Sequence, residues 1–317
     1  MREIGFDMTY YLRVMLGGQS VSAKDCFRDG IVGTDFDFNI DLTNYLKSTW
    51  NESKRDLTRI FSERRPDKNP IAIGLNCGSI WTVSKGIPVG GVVVSPTGEG
   101  DYTYGVVTGD YRYVPDSYFP HQRDVQWSGV RISPDVMSDG LLKTCKRPLT
   151  SIDLNPYAEE LDSLIGKTGG GPRITVSDSD VESATHFALE SILEDFLVAN
   201  WQYTAFAKNY DILSVDGEQV GQQFPADTGR IDILAISKDQ SEYLVLELKR
   251  GRASDRVVGQ LLRYMGFIKK EYCQDGKRVR GAIVAHQDDL SIRNALSMVE
   301  GIDFYLYAVD FKLSLQS

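Results

Sequence analysis

Long apolar runs are missing from these 317 residues: no stretch approaches the eighteen or so consecutive apolar residues of a membrane span. The opening Met1-Arg2-Glu3-Ile4-Gly5 has no signal-peptide character, so a cytoplasmic protein is expected. Cysteine is sparse. Cys26, Cys77, Cys145 and Cys273 are widely scattered without a CxxC pair, which argues against a structural zinc site or a disulfide scaffold and fits a reducing compartment. His121, His186 and His286 form no HxH or HxxxH spacing. An excess of positive charge is also lacking, the formal net charge being −9. Proteins that coat nucleic acid nonspecifically tend to be basic, because phosphate neutralisation supplies much of their affinity. Enzymes that gather carboxylates around metal ions add to a negative total and can still hold nucleic acid in a local basic groove. The acidic balance therefore weighs more against a passive coating protein than against a metal enzyme.

What is present is ordinary for a globular chain: 42% hydrophobic and 25% charged residues, over a length that predicts two domains. The seam is Gly166-Lys167-Thr168-Gly169-Gly170-Gly171-Pro172, where three successive glycines and a proline read as a linker. We place it at 166–178, between an N-terminal α+β domain (1–165) and a C-terminal domain (179–317). The first domain should hold a helix around Leu42–Phe61. Short strands are predicted at Ile71-Ala72-Ile73, Val89–Ser95, Tyr102–Val107 and Val125–Ile132, which a small β-barrel would close without leaving edges. In the second, Ser179-Asp180-Val181-Glu182 is a capping box opening a helix to about Asn200. Strands at Ile231–Ser237 and Tyr243–Leu248, a helix over Asp255–Tyr272, a strand at Val279–Val284, a helix around Ile292–Val299 and a strand at Phe304–Val309 follow. That is an α/β domain with a mixed central sheet.

Chemistry concentrates in two of these strands. Gly229-Arg230-Ile231-Asp232-Ile233-Leu234 and Leu244-Val245-Leu246-Glu247-Leu248-Lys249 flank the polar turn Lys238-Asp239-Gln240-Ser241 and should pair as a hairpin. Alternation puts Glu247 and Lys249 on one face. Asp232 interrupts an apolar run, and two carboxylates side by side are unfavourable unless something compensates. A divalent cation does so, with Asp232, Glu247 and the Leu248 carbonyl as oxygen donors and Mg2+ the expected ion, Mn2+ substituting. Lys249 then stands ready to orient or help deprotonate an attacking water, or to stabilise phosphate charge. An isolated ExK is a weak motif and matches solvated surface hairpins by chance.

More of the text agrees. The stretch from about Leu189 to Met265 resembles the C-terminal nuclease domain of the NucS/EndoMS endonucleases, within the RecB-like branch of the PD-(D/E)xK superfamily. The matching blocks are Leu193-Glu194-Asp195-Phe196-Leu197, Gly229–Leu234, Glu247-Leu248-Lys249-Arg250-Gly251-Arg252-Ala253 and Gly259-Gln260-Leu261-Leu262-Arg263-Tyr264-Met265. The resemblance implies a restriction-endonuclease-like fold and a metal-dependent phosphodiesterase in which Asp232 and Glu247 bind the ion and Lys249 is catalytic. It also implies one more catalytic and metal-binding acid from the first helix, Glu194 first or, one turn earlier, Glu190 in reserve. It further turns Gln260 and Tyr264, one turn apart, towards the active site. Arg230, Arg250, Arg252 and Arg256 around the catalytic strand form a plausible phosphate-contacting edge.

Before the linker, Ile80–Ile132 resembles the EVE/PUA-like barrels attached to modification-dependent restriction enzymes. The text carrying this is Ile80-Trp81-Thr82-Val83-Ser84-Lys85-Gly86, Tyr104–Val114 and Val125-Gln126-Trp127. Such barrels stack a flipped base on aromatic rings, for which Trp81, Tyr111, Tyr113 and Trp127 are candidates, with Trp50 behind them; aromatics in a small β-domain more often fill its core. Two classes of function follow. One is a DNA endonuclease directed to modified or distorted DNA, as in bacterial restriction or phage defence, with a homodimer expected if both strands are cut. The other is a non-cleaving nucleic-acid or nucleotide sensor that keeps the nuclease fold for binding.

Overall fold

The computed structural model describes residues 9–166, 184–227, 229–252, 256–273 and 276–308. Two compact units share the chain, Met1–Thr175 and Val176–Ser317. The expected linker and the Ser179–Glu182 capping box lie mostly or wholly outside the described residues.

In the first unit, β1 (Tyr11–Val14), β2 (Ile31–Thr34), β3 (Val92–Pro96), β4 (Tyr102–Val107), β5 (Arg112–Tyr113), β6 (His121–Ile132) and β7 (Ser151–Asp153) form a seven-stranded sheet. Its order is β2-β6-β4-β3-β1-β7, with β5 on β6. β1 and β3 run parallel, the other pairs antiparallel. Long β6 serves β2 and β5 with its first half and β4 with its second. The path has two ends, so among the described residues the sheet stays open and is not the closed barrel expected. Among the described residues five α-helices accompany it: α1 (Ala23–Asp29), α2 (Trp50–Arg64), α3 (Pro70–Trp81), α4 (Asp139–Lys146) and α5 (Ala158–Leu164).

Two helices differ from the sequence reading, for local reasons. The expected strand Ile71-Ala72-Ile73 is the first turn of α3. A short apolar run fits strand or buried helix equally; here Asn69 caps the Ala72 amide and Pro70 occupies the first helical position, which favours helix. The helix expected from Leu42 begins at Trp50, where Thr49 and Glu52 form a reciprocal capping box.

The second unit opens with α6 (Ala184–Ala199). Then come β8 (Tyr210–Ile212), β9 (Ser214–Val215), β10 (Glu218–Gln219), β11 (Gln222–Ala226), β12 (Gly229–Ser237) and β13 (Glu242–Arg252). After α7 (Arg256–Tyr272) follow β14 (Arg278–Gln287), α8 (Leu290–Leu296) and β15 (Ile302–Leu306). The main sheet runs β11-β12-β13-β14-β15, with β8 also on β12. β11, β12 and β13 are antiparallel and β13, β14 and β15 parallel, so the sheet is mixed, as expected.

α6 sends Leu193, Leu197 and Val198 into a core with Ile233, Ala235, Leu244, Leu246 and Leu248. Alternation therefore turns Asp232, Glu247 and Lys249 to the opposite face. That is the face of α7, whose Val257, Leu261, Tyr264 and Ile268 repeat every three to four residues and are buried.

Candidate active site

The β12–β13 ladder is regular from Ile236↔Tyr243 to Ile233↔Leu246 and then stops. Asp232 and Glu247 would form the next rung. Instead the Asp232 carboxylate takes the place of a ladder carbonyl: its Oδ2 accepts the Leu248 N–H at 2.7 Å. A charged acceptor makes this a stronger bond than the amide pair it replaces. β13 stays anchored on its other side, with Glu247, Leu248 and Lys249 opposite Ile283, Val284 and Ala285 of β14. The result is a fork in the sheet with carboxylates on both prongs.

On β13, Glu247 is 1% exposed and Lys249 17% exposed, and their Oε1 and Nζ lie 3.4 Å apart. A carboxylate this buried is costly without a cation beside it. From α6, Glu194 comes to the fork 3% exposed. Its Oε1 accepts from the Gln222 amide at 2.8 Å, and its Oε2 from the Gln223 amide. Gln223 also donates to Asp232 Oδ1 at 3.3 Å, and Gln222 to Asp195 Oδ1 at 2.9 Å. Glu194 thus reaches Asp232 through a glutamine.

From α7, Gln260 Nε2 lies 3.4 Å from the Tyr264 hydroxyl, which it can reach as a weak donor. Burial pushes the Tyr264 phenol up, the charges of Glu247 and Asp232 add to this, and hydrogen bonding from Gln260 opposes it. The phenol therefore stays protonated and neutral at neutral pH. A Cβ on Gly229 would fall 2.7 Å from that hydroxyl, so glycine at the start of β12 makes room for it.

Asp232, Glu247, Lys249, Glu194, Gln260 and Tyr264 are thus assembled around one fork. Arg230 is half-buried on β12 opposite Pro225 of β11, and Arg256 is exposed at the start of α7. The side chains of Glu190, Arg250 and Arg252 lie outside the described residues. Sequence reasoning missed Gln222 and Gln223; two consecutive amides leading into the Gly229 block were the available signal.

Among the described residues, no three His, Cys, Asp or Glu side chains are grouped to hold an ion among themselves. The donors expected for an ion here, the Asp232 and Glu247 carboxylates and the Leu248 carbonyl, are all hard oxygens. Magnesium takes one or two carboxylates and completes its shell with water and phosphate oxygens, so this set fits it.

The aromatic candidates of the first unit do not meet in one pocket. Trp81 lies 6.2 Å from Trp50, ring to ring, and donates its indole N–H to the Lys47 carbonyl. Tyr111 stacks on buried His121, bonds its Nδ1 at 3.0 Å and accepts the Leu42 N–H. Tyr113 meets the same imidazole at 5.6 Å. Trp127 packs edge-on against Phe27 and donates to the Ile31 carbonyl, in a different core cluster. Each has a packing role in place.

Residues 203–307, which span the fork, match the family model described as the endonuclease NucS C-terminal domain. The second unit therefore resembles the NucS C-terminal domain. Endonuclease NucS of Methanocaldococcus jannaschii is 35% identical over 78 residues, 25% of this chain and 28% of that protein. The Pyrococcus horikoshii enzyme is 40% identical over 76 residues, 24% and 28%. The chain therefore spans 28% of the length of each of these NucS relatives. A solved structure described as a repair endonuclease from Pyrococcus abyssi covers 68% of this chain and 65% of its own at 18% identity. Its TM-score is 0.30. In the first unit, residues 13–141 match a domain of unknown function (DUF8426). The EVE/PUA-like resemblance of that unit finds no counterpart among these matches.

Proposed function

We propose that this chain is a magnesium-dependent DNA endonuclease of the PD-(D/E)xK type, with Asp232, Glu247 and the Leu248 carbonyl holding the ion. Manganese is expected to substitute. The reading rests on the fork itself: a buried Glu247 paired with the half-buried Lys249 on one strand, beside Asp232 on the other, within a domain similar to that of the NucS endonucleases.

When bound, the ion would supply a nucleophile near neutral pH and offset charge on the scissile phosphate. The protein's own part is positional and electrostatic. Lys249, stationed by Glu247 at the rim, orients the attacking water and faces the negative charge that grows on the phosphoryl oxygens. Asp232 is fixed by the Leu248 N–H, so its geometry is set before substrate arrives. Tyr264 and Gln260 offer neutral hydrogen-bonding groups that hold water or a phosphate oxygen without adding charge. Arg230 and Arg256 flank the site and would contact the DNA backbone. Water attacks phosphorus, the bond to the leaving oxygen breaks, and one strand is nicked; a homodimer would be needed to cut both strands together.

The test is conversion of supercoiled plasmid to nicked or linear DNA with Mg2+ or Mn2+, beside EDTA and Asp232→Ala. Cleavage that needs both metal and Asp232 is expected. Cleavage that persists in EDTA would remove the metal, and no cleavage of any DNA would favour a sensor that only binds. Running unmodified, methylated and hydroxymethylated DNAs in parallel reads out whether the first unit adds selectivity.

A further inference from the structure

The pair Gln222–Gln223 has a backbone peculiarity that its hydrogen bonds explain. Consecutive strand residues face opposite sides of a sheet. Gln222, opposite Ile233 in the ladder, faces α6, so Gln223 should face away. Both amides nevertheless reach Glu194. Gln223 does so with φ at +50°, in the left-handed region that residues other than glycine rarely adopt. Strain of this kind persists only where the surroundings enforce it, and it gathers at functional sites. Here it carries one amide nitrogen between two acids from different elements, Glu194 of α6 and Asp232 of β12.

We infer that Gln223 is a positioning residue, a neutral bridge that keeps the Glu194 and Asp232 carboxylates converging on the fork. This deepens the metal-nuclease reading and rests on it. The chemistry of the amide suits the task. It has two N–H donors and no charge, so it can link two carboxylates that would otherwise repel. A lysine or arginine there would link them too, but would cancel the negative potential a divalent cation requires. Gln222, bonded to Glu194 and Asp195, fixes the helix side of the same bridge.

The test is calorimetric titration of the full-length chain with Mn2+, run on wild type, Gln223→Gly, Gln223→Met and Asp232→Ala. Glycine accepts the left-handed backbone and removes only the amide; methionine keeps the bulk. Removing an outer partner of a metal ligand commonly weakens affinity by about 10- to 100-fold, so at least a tenfold loss is expected in both Gln223 variants. In EDTA, Gln223→Gly trades the lost amide bonds against the released backbone strain and should still melt cooperatively within a few degrees of wild type, which separates weaker metal binding from loss of fold. Affinity within about twofold of wild type in Gln223→Gly, with Asp232→Ala binding abolished, would overturn the bridge and leave the nuclease reading intact. No Mn2+ binding by wild type, or unchanged binding by Asp232→Ala, would overturn both.

Discussion

Replacing Lys249 by Met removes the ammonium 3.4 Å from a Glu247 carboxylate that is 1% exposed. At an effective dielectric of about 20, charges at this distance attract by about 5 kcal/mol. Breaking a buried pair from one side costs about 3–5 kcal/mol, because the remaining charge is left uncompensated. Lys249 is itself 17% exposed, which admits some solvent and favours the lower end, about 3 kcal/mol. For a domain of this size that is a fall of roughly 6–12 °C in Tm. If Glu247 is a metal ligand, Mn2+ should reverse much of it: saturation at about 100 times Kd stabilises a folded protein by about 2.7 kcal/mol. The ion no longer competes with Lys249 for Glu247, so the rise in Tm on adding Mn2+ should be larger in Lys249→Met than in wild type. Glu247→Gln should lose most of that rise. Scanning calorimetry in EDTA and in millimolar Mn2+ reads all three. A Lys249→Met chain that melts within about 2 °C of wild type in EDTA, or gains no more from Mn2+ than wild type does, would refute the reasoning.

Gly229→Ala places a methyl 2.7 Å from the Tyr264 hydroxyl. Plasmid cleavage should slow at least tenfold, and combining it with Tyr264→Phe should relieve the clash but not the strain of a side chain at φ +149°, so only part of the lost stability should return and the rate should stay low. His121 is buried with Nε2 at the Phe38 carbonyl and Nδ1 at the Tyr111 hydroxyl, and burial holds its pKa below the usual value. The unfolded chain therefore takes up this proton first, so the first unit should lose stability as pH falls below about 6.5; His121→Gln should flatten that part of a Tm–pH profile. Burial pushes the thiols of Cys77, Cys145 and Cys26 up to about 12. At neutral pH a chromogenic disulfide should label half-buried Cys273 well before these three. The same shifts mean the unfolded chain releases protons first above about pH 9, so stability should decline from there, as alkaline unfolding can follow.

The second unit was largely readable because its signals are local and redundant. Asp232, Glu247 and Lys249 sit on strands whose alternation and intervening turn settle their pairing and facing, and Gln260 and Tyr264 are one helical turn apart. What alternation could not supply is where the ladder ends: the fork exists because Asp232 captures the Leu248 N–H in place of a ladder carbonyl, a choice that no pattern of residue types encodes. Gln223 was hidden for a related reason. Its left-handed φ breaks the two-residue period on which strand reading depends. In the first unit the decisive facts are non-local. Whether the strands close depends on pairings such as Tyr11↔Val92 and Ile31↔Asp124, far apart in the chain. The Trp81 and Trp127 indoles each donate to a backbone carbonyl remote in sequence, a partner that the local run of residues does not name.

The most direct trial of the fork as a cutting site is Asp232→Asn in plasmid cleavage with Mn2+. Asparagine keeps an oxygen for the Leu248 N–H and nearly the same volume, so the β12–β13 fork should stand while one ligand charge is lost. Wild type should nick the plasmid, and the variant, melting close to the wild-type temperature, should be slower by at least a hundredfold. Cleavage by Asp232→Asn at the wild-type rate would contradict the assignment of this fork as the active site.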